Sequence, residues 1–234
     1  MGSETDINQA IPLNYQSYFH SLHLNLPNEQ IHPILFWETS RGCWLGQNKK
    51  CTFCDYNKKN IVFRKMRRET AIQYINTIIK QHSNQCRYFW AVDAIMPMDY
   101  IQSVFPHLDL ITNTRIFYEV SPLTTLKQIH KLVENNVTLV QAGIEALDQH
   151  TLDLMEKTTT VYTNIQFLKH ATQKGLNVLW NLLAAIPHEN PRRYDWIKKI
   201  LPKLFHLYPP TGIGLLVTIK IAVMSRTKKN MAFN

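Results

Sequence analysis

The sequence predicts an α/β protein whose parallel strands curve into a partial (β/α)6 TIM-like barrel. Three observations carry this expectation. Six short apolar runs alternate with helical stretches after residue 30, and such alternation implies right-handed crossovers between parallel strands. The six units occupy roughly 190 residues, whereas a closed eight-unit barrel needs about 250. A cysteine-rich loop directly follows the first apolar run, where parallel α/β folds place their chemistry.

The elements follow in order. "PILFWETS" (33–40) is short, apolar and aromatic, as strands are. "ETAIQYINTIIK" (69–80) sets Ala71, Ile72, Ile75, Ile78 and Ile79 on one helical face. "RYFWAVDAI" (87–95) reads as a buried strand ending in an acid. "DYIQSVFPHL" (99–108) predicts a helix opened by Asp99 as N-cap and curtailed near Pro106. "RIFYEVS" (115–121) is a strand, and "TLKQIHKLVENN" (125–136) a helix with Leu126, Ile129, Leu132 and Val133 inward. "TLVQAGIEA" (138–146) is the fourth strand; a helical stretch follows, ending in "NIQFLKHATQKG" (164–175) with Gly175 as its stop. "NVLWNLLAAIP" (177–187) is the fifth strand, "RRYDWIKKILPKLFHL" (192–207) a helix broken around Pro202, and "GIGLLVTIKIAV" (212–223) the sixth strand.

Residues 1–32 form a lead-in with a leading helix around "YQSYFHSLHL", residues 33–214 the barrel core, and residues 215–234 a divergent basic tail. At 234 residues with 45% apolar and 18% charged side chains, the chain has the composition of a globular protein. No apolar run reaches a membrane span, and the start lacks the pattern of a secretory signal. A cytoplasmic location with reduced thiols is therefore expected, and no membrane partner. The net charge of +9 gathers in "NKKNIVFRKMRR" (57–68) and "SRTKKN" (225–230). These stretches read either as a solvated loop and tail or as a groove for an anionic partner such as RNA or an acidic peptide.

Three of the four cysteines, Cys43, Cys51 and Cys54, lie in one loop as Cys-x7-Cys-x2-Cys. A structural zinc would want a fourth ligand, and His32, His82 and Cys86 are far along the chain. A thioredoxin-like pair would leave Cys43 without a purpose. A [4Fe–4S] cube held by three thiolates keeps one iron open for a substrate or cofactor, which points to catalysis rather than simple electron transfer. Cys86, ahead of the second strand, reads as an inert buried thiol.

The loop resembles the radical SAM superfamily, and the block "FWETSRGCWLGQNKKCTFCDYN" narrows the likeness to the group that matures ribosomally made peptides, of the B12-dependent C-methyltransferase type. "FYEVSP", "QAGIEALDQHTLDLMEK", "NIQFLKHATQKGLNVLWNLLAAIPHENP" and "LYPPTGIG" fit the same group in order, over roughly residues 11 to 214. The resemblance implies that Cys43, Cys51 and Cys54 hold a [4Fe–4S] cluster whose fourth iron is chelated by S-adenosylmethionine. It implies a 5′-deoxyadenosyl radical that modifies, by C-methylation, a carbon of a precursor peptide. It also implies a reductant such as ferredoxin or flavodoxin. Carried over position by position, Asp93, Ala94, Glu119, Gly143, Glu145 and Asn181 would contact the cofactor. Phe53 and Trp44 would shield the cluster, or belong simply to the core.

The pattern also breaks. Asp55 replaces the glycine that usually follows the third cysteine, and Ala185-Ile186-Pro187-His188-Glu189 stands where the group has Gly-Phe-Pro-Gly-Glu. Group members carry a cobalamin domain ahead of the barrel, and beyond "PPTGIG" the likeness stops. A shortened core, with cobalamin possible only through a partner, is the expectation. A non-catalytic remnant, an RNA-modifying enzyme and a structural zinc protein are the competing readings.

Overall fold

The computed structural model of the protein describes residues 6–9, 11, 13–27, 29–48, 51–54 and 62–216. In chain order its elements are α1 (Gln16–Asn25), β1 (Ile34–Trp37), β2 (Ser40–Arg41), α2 (Leu45–Asn48), β3 (Arg64–Lys65), α3 (Arg68–His82), β4 (Tyr88–Ala91) and α4 (Tyr100–Ser103). There follow β5 (Arg115–Val120), α5 (Leu126–Glu134), β6 (Val137–Ala142), α6 (Gln149–Leu154), α7 (Val161–Lys174), β7 (Asn177–Leu179), β8 (Asn181–Ala184), α8 (Arg193–Ile200) and β9 (Gly212–Leu215).

Five strands form one parallel sheet in the order β1-β4-β5-β6-β7. Consecutive parallel strands joined by helical crossovers thus lie side by side, the arrangement sequential strands most often take. One face of that sheet is dry. Leu35, Phe89, Ile116, Val140 and Val178 are buried against the helices, with Ala71, Ile75, Ile78 and Ile79 of α3 and Ile129 and Leu132 of α5 packed over them. Alternation along each strand then puts the intervening side chains on the other face. Phe36, Trp90, Phe117 and Leu139 are register partners there.

The fifth apolar run does not make one continuous strand. Trp180 interrupts it: its backbone N–H donates to Thr211 Oγ1 at 3.2 Å and its indole N–H to the Tyr208 carbonyl at 2.9 Å. Before that residue β7 pairs with β6; beyond it β8 pairs with β9 in parallel and bridges to Glu145. This handover continues the curve to a sixth strand, giving the partial, unclosed barrel expected from the sequence. The remainder of the sixth run, 217–223, lies outside the described residues, as do Asp55, Lys58 and Lys59.

Several local expectations are corrected. Asp99 makes no side-chain cap on α4; its carboxylate pairs with Lys65. The 99–108 helix stops at Ser103 and resumes as a 3-10 turn over Phe105–His107, with Pro106 in it. The described part of the basic stretch is ordered as β3 and the start of α3, with Arg67 and Arg68 exposed to solvent. Arg64 and Lys65 form β3, Met66 is 4% exposed, and the Arg68 guanidinium donates to the Ser103 carbonyl at 2.9 Å. Gly175 closes α7 with φ of 70°, as its sequence position predicts.

The two lost glycines have a backbone reason. Ala185 and His188 both adopt left-handed conformations, with φ of 61° and 67°. The turn between them is fastened by Glu189, which accepts from Ala185 N at 3.2 Å and from the buried Arg193 at 2.6 Å. A side chain with a Cβ costs about 1–2 kcal/mol in that conformation. Ala185→Gly is therefore expected to raise stability by about 1 kcal/mol, read as a higher denaturant midpoint at unchanged slope. A lowered midpoint would mean that the alanine methyl contributes packing that outweighs the strain.

Candidate active site

The cysteine loop is held at three places. At its root, β2 pairs antiparallel with β3, Ser40 opposite Lys65 and Arg41 opposite Arg64. Gly42 makes that crossing feasible: its φ is 90°, and a Cβ there would lie 2.9 Å from the Phe63 Cα. At its middle, the Trp44 indole N–H donates to the Met96 carbonyl at 3.1 Å, joining the loop to the segment after β4. At its far end Thr52 grips the last turn of α6, through its N–H to the Met155 carbonyl (3.1 Å) and its hydroxyl to the Leu154 carbonyl (2.9 Å). Cys54 N donates to the Cys51 carbonyl at 3.2 Å, so the Cys-x2-Cys segment is a tight turn.

The three thiols are each partly exposed. Burial pushes the Cys51 thiol up, the neighbouring Lys157 ammonium pulls the other way, and Cys54, Cys43 and Glu145 add smaller upward contributions. Cys43 and Cys54 thus lie within electrostatic reach of Cys51. Among the described residues, however, no three His, Cys, Asp or Glu side chains converge on a point that would grip one ion. Cys86 stands apart, 3% exposed, its Sγ against the Pro33 and Tyr88 carbonyls.

Carboxylates gather at the same carboxyl ends of the strands. Asp93 is 1% exposed and accepts from Thr39 N (2.7 Å), Thr39 Oγ1 (2.6 Å) and Ser40 Oγ (2.8 Å). Burial lifts it to about 6 even so. It is the latch that fastens the residues before the cysteine loop to the end of β4. The Tyr118 hydroxyl, shared with Thr39 Oγ1 at 3.3 Å and the Trp37 indole at 3.2 Å, extends this network into the core between sheet and helices. Ala94, partly exposed, follows in the same loop.

Glu119, on β5, is pushed up to about 7, first by burial and then by Glu145 and Asp93. Its side chain has no hydrogen bond or ion pair among the described residues. Glu145 sits just past β6 with φ of 64°, a strained conformation for a non-glycine residue. Its carboxyl is raised by burial and lowered in part by Lys157, whose ammonium is 3.8 Å away. Phe53 packs partly buried against Ala146, Leu152, Met155 and Ile186, with the Lys157 ammonium 5.9 Å from its ring centre. The space above Gly143 is taken by the same lysine: a Cβ there would lie 3.2 Å from Lys157 Nζ and 3.5 Å from Glu145 Oε1. Asn181 opens β8, exposed, beside Gly212 of β9.

The fold therefore links Cys51, Glu145, Glu119 and Asp93 electrostatically, while Asn181 shares no hydrogen bond with them. Lys157 is the residue that sequence reasoning overlooked. A lone lysine after a helical run carries no pattern of its own; only the strand-end position of Glu145 opposite it would have drawn notice.

Residues 37–200 match the radical SAM superfamily, and the chain belongs to that superfamily. Among solved structures it is similar to apo OxsB, a cobalamin-dependent S-adenosylmethionine radical enzyme, at 14% identity and a TM-score of 0.71, over 98% of this chain and 38% of that one. It is similar as well to TsrM, a radical S-adenosylmethionine methyltransferase from Kitasatospora setae, at 12% identity and 0.65, over 83% of this chain and 36% of the other. Coproporphyrinogen III oxidase (HemN) from Escherichia coli gives 15% identity and 0.58, over 92% and 50%. Likeness at these identities speaks for the fold, and the chain spans little more than a third of OxsB and TsrM. No curated protein matches in a direct sequence comparison. Among the described residues, no helix is long and apolar enough to cross a membrane.

Proposed function

We propose that this chain is the catalytic core of a radical SAM enzyme that binds a [4Fe–4S] cluster through Cys43, Cys51 and Cys54, and S-adenosylmethionine beside it. Its substrate on this reading is a ribosomally made precursor peptide, which it C-methylates. The observation that carries the cofactor assignment is the three-thiol loop standing over carboxylates raised by burial, one of which, Glu119, has no partner among the described residues. The peptide reading is supported by the block Glu38-Thr39-Ser40-Arg41-Gly42-Cys43-Trp44 with its x7 spacing.

The cluster, held by Cys43, Cys51 and Cys54 and reduced by one electron from an external donor such as ferredoxin or flavodoxin, would supply reductive cleavage of S-adenosylmethionine. The protein's task is to bind, orient and exclude water. Glu119 offers an acceptor to the amino or ribose groups of the cofactor, and Asn181 one toward its adenine. Lys157 is placed to meet the carboxylate that S-adenosylmethionine brings, exchanging part of its 3.8 Å contact with Glu145 for it. Asp93, whose oxygens are held by Thr39 and Ser40, acts as a positioning residue for the loop, leaving Ala94 the closer contact. Phe53 and Trp44 wall the cluster from solvent.

Anaerobic reconstitution followed by assay for 5′-deoxyadenosine and methionine tests the enzyme class. Transfer of label from methyl-deuterated S-adenosylmethionine into peptides encoded beside the gene tests the substrate. Lys157→Met is expected to raise the S-adenosylmethionine concentration for half-maximal cleavage roughly tenfold with iron content unchanged. An unchanged half-maximal concentration would remove the lysine from the site.

A further inference from the structure

At the amino ends of the strands, opposite the cysteine loop, lies a second cavity of about 350 Å³. That volume is within the range of small-molecule pockets. Its floor is the lower half of the concave face. Trp90 and Phe117 lie 4.6 Å apart, centre to centre, and Leu139 and Tyr88 complete the apolar wall. Arg115, the first residue of β5, stands at its rim over the Tyr88 ring at 5.8 Å, and the His32 ring centre lies 6.0 Å from that of Tyr88. Arg115 is four residues below Glu119 on the same strand face, about 13 Å along it.

Two of the polar groups here, the Arg115 guanidinium and the Trp90 indole N–H, can only donate. Among the described residues the Arg115 guanidinium has no carboxylate partner and the Trp90 indole N–H no acceptor. No aspartate or glutamate lines this cavity or the adjoining one around Arg87. An aromatic floor under an uncompensated guanidinium fits a ligand with a flat apolar body and an anionic, planar end. A carboxylate matches the fork of arginine with two parallel hydrogen bonds.

We infer that this cavity is a binding site for a small aromatic carboxylate, separate from the cluster site. The carboxylate is held by Arg115, with His32 beside it, and the ring lies on Trp90 and Phe117. The site depends on no bound cofactor.

The test is titration of 3-phenylpropionate into the full chain, followed by tryptophan fluorescence and by calorimetry, with 3-phenylpropionamide as the neutral counterpart. Saturable binding of the acid is expected, about tenfold weaker for the amide and for Arg115→Gln. In Trp90→Phe the calorimetric binding persists while the fluorescence response disappears. Cys51→Ala binds as the parent does. Equal affinity for acid and amide, no effect of Arg115→Gln, a fluorescence response that survives in Trp90→Phe, or absence of saturable binding would each overturn the assignment. Loss of binding in Cys51→Ala would place the ligand at the cluster instead.

Discussion

Cys51→Ala is expected to abolish iron and sulfide incorporation on anaerobic reconstitution, and Cys86→Ala to incorporate both as the parent chain does. The contrast follows from where the fold puts the two thiols. Cys51 sits partly exposed on a loop pinned by Thr52 to the end of α6, within electrostatic reach of Cys43 and Cys54. Cys86 is 3% exposed, ahead of β4, with its sulfur engaged by two backbone carbonyls. On the proposed assignment, the substitution at Cys51 would remove one of three ligands and leave two thiolates to hold the cube. Because Cys51 is only partly buried and its thiol makes no hydrogen bond among the described residues, Cys51→Ala leaves the fold in place. The circular dichroism of the apo-protein is therefore unchanged. Equal loss of iron in both variants, or retention in both, would overturn the ligand assignment.

Glu119→Gln is expected to act in opposite directions on stability and on activity. Burial holds the native Glu119 carboxyl at about 7, well above its ordinary value of 4.5. Between those values the folded chain keeps a proton that the unfolded chain has released. Stability from this group is thus fully present below about pH 4.5 and lost as pH rises through about 7. Asp93, at about 6 in the fold, contributes in the same sense over a lower window. A glutamine at 119 carries no charge to desolvate. The variant apo-protein should then be more stable than the parent by about 2 kcal/mol at pH 8 and equal to it at pH 4. In the reconstituted protein the same change removes a charged acceptor for the cofactor, and 5′-deoxyadenosine formation at low S-adenosylmethionine should fall about 10- to 100-fold. Thermal melts across pH, beside the cleavage assay, separate the two effects. A variant less stable at pH 8 would mean that Glu119 has a structural partner in place of a ligand-facing role.

Much of this architecture is legible in the sequence because parallel strands with a helix-covered face and an aromatic opposite face form apolar runs that stand out from helical periodicity. Ile34–Trp37, Tyr88–Ala91 and Arg115–Val120 fall inside the runs read as strands, and Val137–Ala142 begins one residue ahead of the run read at 138–146. What escapes is set by tertiary contacts. The two-residue strands β2 and β3 are too short for any period to show, yet they fix the root of the cysteine loop. The break at Trp180 is invisible because the apolar run continues through it; its cause is Thr211 and Tyr208, some thirty residues on. Asp99 has a capping residue's identity, but Lys65 arrives from β3 and takes its carboxylate. At the candidate site, the grouping of Cys43, Cys51 and Cys54 in one loop is visible in their spacing. Asp93 reads as a strand-end acid, but its commitment to Thr39 and Ser40 needs the packed sheet to be seen. Lys157, with its contacts to Glu145, Phe53 and the space over Gly143, emerges only once α6 folds back over the fourth strand.

The central claim is that three thiols of this chain leave a position of their cluster open to S-adenosylmethionine. Electron paramagnetic resonance of the reduced, reconstituted protein reads that position directly. The account predicts a cluster signal whose shape changes when S-adenosylmethionine is added, in the parent and in Cys86→Ala alike. A cluster signal that S-adenosylmethionine leaves untouched at saturating concentration, or no signal at all, would contradict it.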